Sequence, residues 1–327
     1  MGYVLREFLE RHQVWIYFAS VIIGAAFAWA VAGTEQLEAF VNPALALMLF
    51  VTFLQVPLRD IGKAFREVRF LTALLAANFV VIPFLVFLLF QFAPTDPLVR
   101  LGMVMVLLTP CIDYVVTFSQ LGRADARLLL ASTPLLLVAQ MALLPLYFAA
   151  FLGSDASGLV SIGPFLHAFI WLIAIPLALA AQVQFWASRS SVGSRTSDAF
   201  GLLPVPSTAL VLFLVVAATA PLLGSAVGSA LAVLPLYAAF AVVAPMLGWF
   251  TARAFRLGAA ASRSIAFSSA TRNSLVVLPL ALAVPGAVPV LPAVIVTQTL
   301  VELLSELVYV RLMPLVGRSF ETAEQTA

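Results

Sequence analysis

Four charged side chains, Asp113, Arg272, Glu302 and Glu306, lie inside long apolar stretches of this 327-residue chain. An ionised group is costly in hydrocarbon, so it faces a bundle interior or an aqueous cavity and marks an ion or substrate pathway. Three acids against one base leave a formal surplus of negative charge, which calls for a proton, a metal cation or a cationic ligand. Gln298, Glu302 and Glu306 recur at four-residue spacing, so they share one helix face, expected to point inward. Arg272 is expected to pair with Glu302, with Asp113 as the competing partner. Glu306, nearer the end of its apolar run, is expected to be hydrated.

Two of these groups sit where a helix should be interrupted. In LLTPCIDYVV, Pro110 lacks an N–H and clashes with the preceding turn, so the helix breaks at Thr109–Pro110. A break inside a membrane frees carbonyls from one half and N–H groups from the other, and protein, water or ligand must satisfy them. The next half-helix presents its N-terminus, a locus of partial positive charge, with Cys111, Asp113 and Tyr114 in its first turn. The partner feature is IAFSSATRNSLVVLPL, where Ser268, Ser269, Thr271, Arg272, Asn273 and Ser274 interrupt an apolar run. A second discontinuous helix is expected there, broken at Thr271.

Positioning these residues requires a membrane. The chain is 63% hydrophobic and 10% charged, with mean hydropathy +1.10, more apolar surface than a soluble domain of this length can hide. A bilayer core needs roughly 20 apolar residues in helical form. Ten spans follow, near 13–32, 40–58, 70–91, 100–121, 128–151, 164–187, 205–223, 229–250, 265–285 and 288–314. Alternate connections then hold 15 of the 17 basic residues; Arg100 stands on the other side and Arg272 inside a span. That bias places both termini in the cytoplasm. RDIGKAFREVR reads as a basic anchor on the anionic leaflet. The first dozen residues read as a short interfacial helix. The Ser-rich stretch 187–204 reads as the most mobile connection.

The punctuation repeats. Pro43 and Pro206 open similar runs 163 residues apart, Pro83 answers Pro245 at 162, and Thr109 answers Thr271 at 162. Five spans per half is odd, so residues 1–158 and 159–327 would cross the membrane in opposite senses, as two inverted five-helix repeats. The expected fold is thus an all-α polytopic membrane protein.

Other chemistries find little support. Cys111 is the single cysteine, so no internal disulfide forms, and no zinc or other metal motif and no cofactor site is expected. A net charge of +2 gives no reason to invoke nucleic acid. An intramembrane aspartyl enzyme needs two facing Asp residues, and only Asp113 lies in a span. His167 is lone and reads as an interfacial packing residue, so no enzyme is expected.

At the residues above, the sequence resembles the bile acid:sodium symporter superfamily, and within it the arsenite-efflux permeases. The carriers are TPCIDYVVTFSQLGRADARLLLASTPLLLVAQ from Thr109, SSATRNSLVVLPLAL from Ser268 and TQTLVELLSELVYVRL from Thr297. The resemblance implies inverted repeats with helices four and nine broken and crossing. It also implies a core (helices 3–5 and 8–10) that moves against a panel (helices 1, 2, 6 and 7). It gives Cys111 a role in metalloid transport and Glu302 the role of the permeases' glutamate in span ten. Trivalent arsenic suits a soft thiolate, though one thiol holds it only transiently. Substrate contacts would then come from Cys111, Asp113, Arg272, Asn273, Ser274 and Glu302, and coupling-ion contacts from Asp113, Glu302, Gln298 and Ser268. Sodium-coupled relatives place an acid and a glutamine as sodium ligands at the positions of Ser268 and Arg272. A fixed guanidinium there argues for protons, carried by Asp113 or Glu302. TRNSLVV also lacks the acidic residue that the permeases usually carry after paired asparagines. The expected function is a cell-membrane secondary transporter exporting arsenite or a related small solute in exchange for protons. The alternative is a cation-coupled organic-anion symporter, with Arg272 and the half-helix N-terminus holding a carboxylate.

Overall fold

The computed structural model describes residues 2–55, 67–112, 114–153, 167, 170–221 and 226–317. Asp113, most of the basic RDIGKAFREVR segment and Arg318 lie outside the described residues. Fourteen α-helices follow one another among those described. They are α1 (Gly2–Ala30), α2 (Glu38–Gln55), α3 (Val68–Ala76), α4 (Ile82–Phe90), α5 (Pro97–Leu107), α6 (Tyr114–Leu121), α7 (Ala126–Leu152), α8 (Ile175–Ala187), α9 (Ser191–Phe200), α10 (Pro204–Thr219), α11 (Val227–Ala254), α12 (Ala259–Ala270), α13 (Ser274–Leu282) and α14 (Val290–Leu312). No strand is present among the described residues; one isolated bridge joins Pro110 and Arg272.

Seven stretches of helix among the described residues are long and apolar enough to cross a bilayer, and Pro97–Leu107 and Ile175–Ala187 are shorter apolar helices. Large apolar side chains also point outward: Trp29 is 92% exposed and Phe92 78%. Such a surface is stable against lipid and not against water. The chain is an all-α polytopic membrane protein.

Two compact units can be described separately. The first comprises Met1–Gln55, Ser157–Gly228 and Leu275–Ala293. Here α1 lies along α10, which also packs on α2, and α8 packs on α2 and α9. Gln184 of α8 donates its side-chain amide to the carbonyls of Phe53 and Leu54 at 3.1 and 3.2 Å. Two expectations need correction. The first dozen residues are not a separate interfacial helix; α1 runs unbroken from Gly2 to Ala30. No Gly or Pro punctuates the step into the apolar run, and Arg6 pairs with Glu10 one turn on at 2.7 Å. The Ser-rich connection is not loop throughout either: Ser190 caps α9 by accepting from the Gly193 N–H at 3.4 Å, and Phe200 meets Phe50 edge-on.

The second unit comprises Val56–Ala156, Ser229–Ser274 and Val294–Ala327. Its centre is α12, where every residue from Ser262 to Ala270 is buried although half are polar. Small side chains let neighbours approach closely, the usual basis of helix packing in membranes. Gly248 of α11 shows it: a Cβ there would stand 2.5 Å from Ser269 Oγ and 2.9 Å from the Ile265 carbonyl. Arg263, which sequence assigns to a connection, is buried; its guanidinium donates to the carbonyls of Val316 and Arg123. Asp96 and Asp125 cap α5 and α7.

One arrangement occurs twice in this unit. Pro83 cannot donate to the carbonyl four residues earlier, and a π turn (Ala77–Val81) precedes it. The Phe79 carbonyl is met instead by the Tyr147 hydroxyl at 2.9 Å. Pro245 likewise frees the Ala241 carbonyl, which accepts from the Tyr309 hydroxyl. Each member of the first set lies 162 residues before its counterpart.

Candidate functional site: a crossover of two interrupted helices

The helix that begins as α5 stops at Leu107 and resumes as α6 at Tyr114; the one that begins as α12 stops at Ala270 and resumes as α13 at Ser274. Between the stops the two chains run antiparallel for a few residues. The Cys111 N–H donates to the Thr271 carbonyl at 3.0 Å, and the Asn273 N–H to the Thr109 carbonyl at 2.7 Å. Freed backbone groups of each interruption thus satisfy those of the other, which open backbone in a membrane protein requires. The threonines act alike: Thr109 Oγ1 lies 2.9 Å from the Met105 carbonyl and Thr271 Oγ1 2.8 Å from that of Phe267, back-bonds that end each half-helix.

Arg272 is fully buried at this crossover. Its guanidinium donates to Asn78 Oδ1 at 2.9 Å, to the Ser268 carbonyl at 2.5 Å and, at 3.4 Å, toward the Leu107 carbonyl. Its carbon lies 5.6 Å from the Phe240 ring centre, a cation–π distance. Asn78 sits in the π turn of the third span and also donates to Ser268 Oγ at 3.0 Å.

The expected Arg272–Glu302 ion pair is not formed. Among the described residues the one ion pair is Arg6–Glu10. Glu302 instead accepts the backbone N–H of Arg272 at 2.7 Å, the Gln298 side-chain amide at 2.6 Å and the Tyr114 hydroxyl at 2.5 Å. Charge-assisted bonds of this length are the strong ones, and the three engage both carboxyl oxygens. The physical reason lies in the break: Arg272 has no helical acceptor for its own N–H, so the nearest carboxylate takes it, while its side chain reaches the other way to the carbonyl ends of α5 and α12.

Glu306 is not hydrated. It is fully buried, with Oε1 2.5 Å from Thr271 Oγ1 and Oε2 without a hydrogen-bond partner among the described residues. Ser274 accepts from Thr299 at 2.8 Å. The site therefore gathers Thr109, Pro110, Cys111, Ser268, Thr271, Arg272, Asn273, Ser274, Gln298 and Glu302, all buried. It adds Asn78, which sequence reasoning passed over, Tyr114, read from sequence only as a first-turn residue, and Glu306, expected there to be hydrated. Asp113 lies outside the described residues. His167 is exposed, with its ring 6.0 Å from that of Trp171.

Chemically, this is a buried polar cluster with a fixed cation, a carboxyl group that accepts three donors, a second carboxyl and a thiol, with no group of metal-ligating residues among those described. No curated protein matches the sequence. A profile of the Sodium Bile acid symporter family matches residues 42–226, more than half of the chain and including the first interruption. On that match the chain belongs to the sodium bile acid symporter family.

Proposed function

We propose that this protein is a proton-coupled secondary transporter that exports arsenite or a related small solute. The observation that carries the proposal is Arg272. Its buried guanidinium takes the carbonyl oxygens of Ser268 and Leu107 at the ends of two half-helices. Those are the oxygens a desolvated alkali cation would need. A covalently attached cation cannot be transported, so coupling falls to the buried carboxyl groups of α14, which can take and release protons. Cys111, buried at the crossover and tied by its N–H to Thr271, supplies the soft ligand that trivalent arsenic favours. The organic-anion alternative asks Arg272 to hold a cargo carboxylate; its guanidinium is instead engaged with three protein acceptors.

In this reading the fold has ten spans in two inverted repeats, divided at 158/159, in the cell membrane with both termini cytoplasmic. The two proline–tyrosine sets and the reciprocal Thr109–Asn273 and Cys111–Thr271 bonds, all at a spacing of 162, support that arrangement. The unit that holds both interruptions is the moving core. The test is arsenite uptake into everted membrane vesicles. Uptake should follow an imposed pH gradient, be indifferent to replacing sodium by choline, and be lost in Cys111→Ser. Uptake that requires sodium and ignores the pH gradient would overturn the proposal.

A further inference from the structure

Glu306 lies one turn beyond Glu302 on α14, fully buried, yet no role falls to it in the arrangement above. Its surroundings fix where a hydrogen must be. Thr271 Oγ1 lies 2.8 Å from the Phe267 carbonyl and 2.5 Å from Glu306 Oε1. A hydroxyl has one hydrogen and a carbonyl can only accept. If Thr271 donates to Glu306, two oxygens face each other across 2.8 Å with no hydrogen between them. If Thr271 donates to Phe267, the short contact to Glu306 needs a hydrogen from the carboxyl. The Phe267 carbonyl also takes the Thr271 backbone N–H at 3.0 Å; the second arrangement gives each hydroxyl contact its own hydrogen, and it makes a chain from a neutral Glu306 through Thr271 to the end of α12.

Charge points the same way. Glu302 on α14 takes three donors, which favour its charged form. Tyr114 of α6 is committed to Glu302. Tyr309, on the helix of Glu306 itself, donates to Ala241 of α11, and α11 also carries the buried Tyr237. The two buried cations near α12 are engaged elsewhere, Arg272 with Asn78, Ser268 and Leu107, and Arg263 with Val316 and Arg123. No cation among the described residues pairs with Glu306, and an unpaired buried charge is strongly unfavourable.

We infer that Glu306 and Thr271 form a proton-binding site, and that this proton is the one exchanged for cargo; the second half of the inference rests on the proton-coupled reading above. Glu302 is then the fixed counter-charge to Arg272, and Glu306 the carboxyl that changes state. Loss of its proton to water, when the chamber opens, puts two carboxylates one turn apart beside a single guanidinium. It also removes the donor that holds Thr271. Because the Thr271 carbonyl accepts the Cys111 N–H, occupancy of the proton site reaches the backbone that carries the thiol.

The experiment uses the full chain in proteoliposomes. Infrared spectra in light and heavy water should show a protonated-carboxyl band that disappears in Glu306→Gln and shifts without disappearing in Thr271→Val. Glu306→Gln keeps a neutral donor toward Thr271. It should therefore retain arsenite counterflow while losing all arsenite accumulation above equilibrium under a pH gradient. A band absent from the wild type, or persisting in Glu306→Gln, overturns the proton site. A band lost in Glu306→Gln, together with wild-type arsenite flux indifferent to the pH gradient, overturns the exchange role alone.

Discussion

Replacing Arg272 by Ala should loosen the crossover more than any other single truncation there. Two of the guanidinium contacts are short, to Asn78 Oδ1 at 2.9 Å and the Ser268 carbonyl at 2.5 Å, and the Leu107 contact at 3.4 Å adds little. Hydrogen bonds to a charged group contribute about 1.5–3 kcal/mol each, so two give about 3–6 kcal/mol. Removing one charge from a buried set that includes Glu302 costs about 3–5 kcal/mol by a separate route, because the other charge is left uncompensated. The two figures agree, and at roughly 2–3 °C per kcal/mol they correspond to a fall in Tm of about 6–15 °C. Arg272→Lys keeps the charge but not the planar fork, so it should lose about half of this.

The chain offers its own reporter. Cys111 is its single cysteine and is fully buried at the crossover, so a thiol-reactive fluorophore added to the detergent-purified protein reads opening at the site itself. The electrostatic part is isolated by a double-mutant cycle with Glu302→Gln. The second change should cost less in the Arg272→Ala background than in the wild type, by about 1–3 kcal/mol, since no buried charge is then left alone. Strict additivity, or an Arg272→Ala midpoint within about 2 °C of wild type, would refute the reasoning.

Three further outcomes follow from single contacts. Tyr114→Phe removes one of three donors to Glu302 and should cost about 1.5–3 kcal/mol in the same thiol assay. Asn78→Leu strips Arg272 of its side-chain acceptor and Ser268 of its donor and should destabilise by a similar amount, roughly 2 kcal/mol, whereas Asn78→Asp retains the acceptor and should keep wild-type stability. Gly122→Val sets a Cβ 2.3 Å from the Phe267 ring edge, and this overpacking should cost about 1–3 kcal/mol, read as a lowered Tm.

Much of the architecture was legible because its causes are local. Apolar runs of span length announce helices, and the polar run from Ser268 to Ser274 and the proline at 110 mark where two of them let go. The site was legible in part for the same reason: residues that end a helix sit next to the groups they free. What escaped depends on distant partners. Asn78 meets Arg272 across 194 positions and Tyr114 meets Glu302 across 188, and nothing near either residue in sequence signals it. A lone asparagine in the apolar run AANFVVIPF was the one available hint. Glu306 was misjudged because distance from a span's end says nothing about what surrounds it; burial comes from the helices packed around α14. The Arg272–Glu302 contact was anticipated between the right residues but through the wrong atoms, since sequence shows a side chain's charge and not the orphaned N–H beneath it.

A helix interruption in a membrane can be neutralised in two ways, and they have opposite consequences for coupling. Open carbonyl ends can wait for a mobile cation, in which case the site is complete only when that cation is bound. Or the chain can supply the cation itself, as Arg272 does toward the ends of α5 and α12. The crossover is then complete without an ion, and the bound charge no longer reports on anything outside the membrane. In the proposed transporter, coupling to a gradient passes to a group whose charge can still change. Glu302 is the less suited, since three donors stabilise its charged form. Glu306 has a single contact, an oxygen with no partner among the described residues, and a position one residue from the arginine's own backbone through Thr271. On the proposed reading, fixing one charge at the crossover is what makes the other carboxyl the variable one.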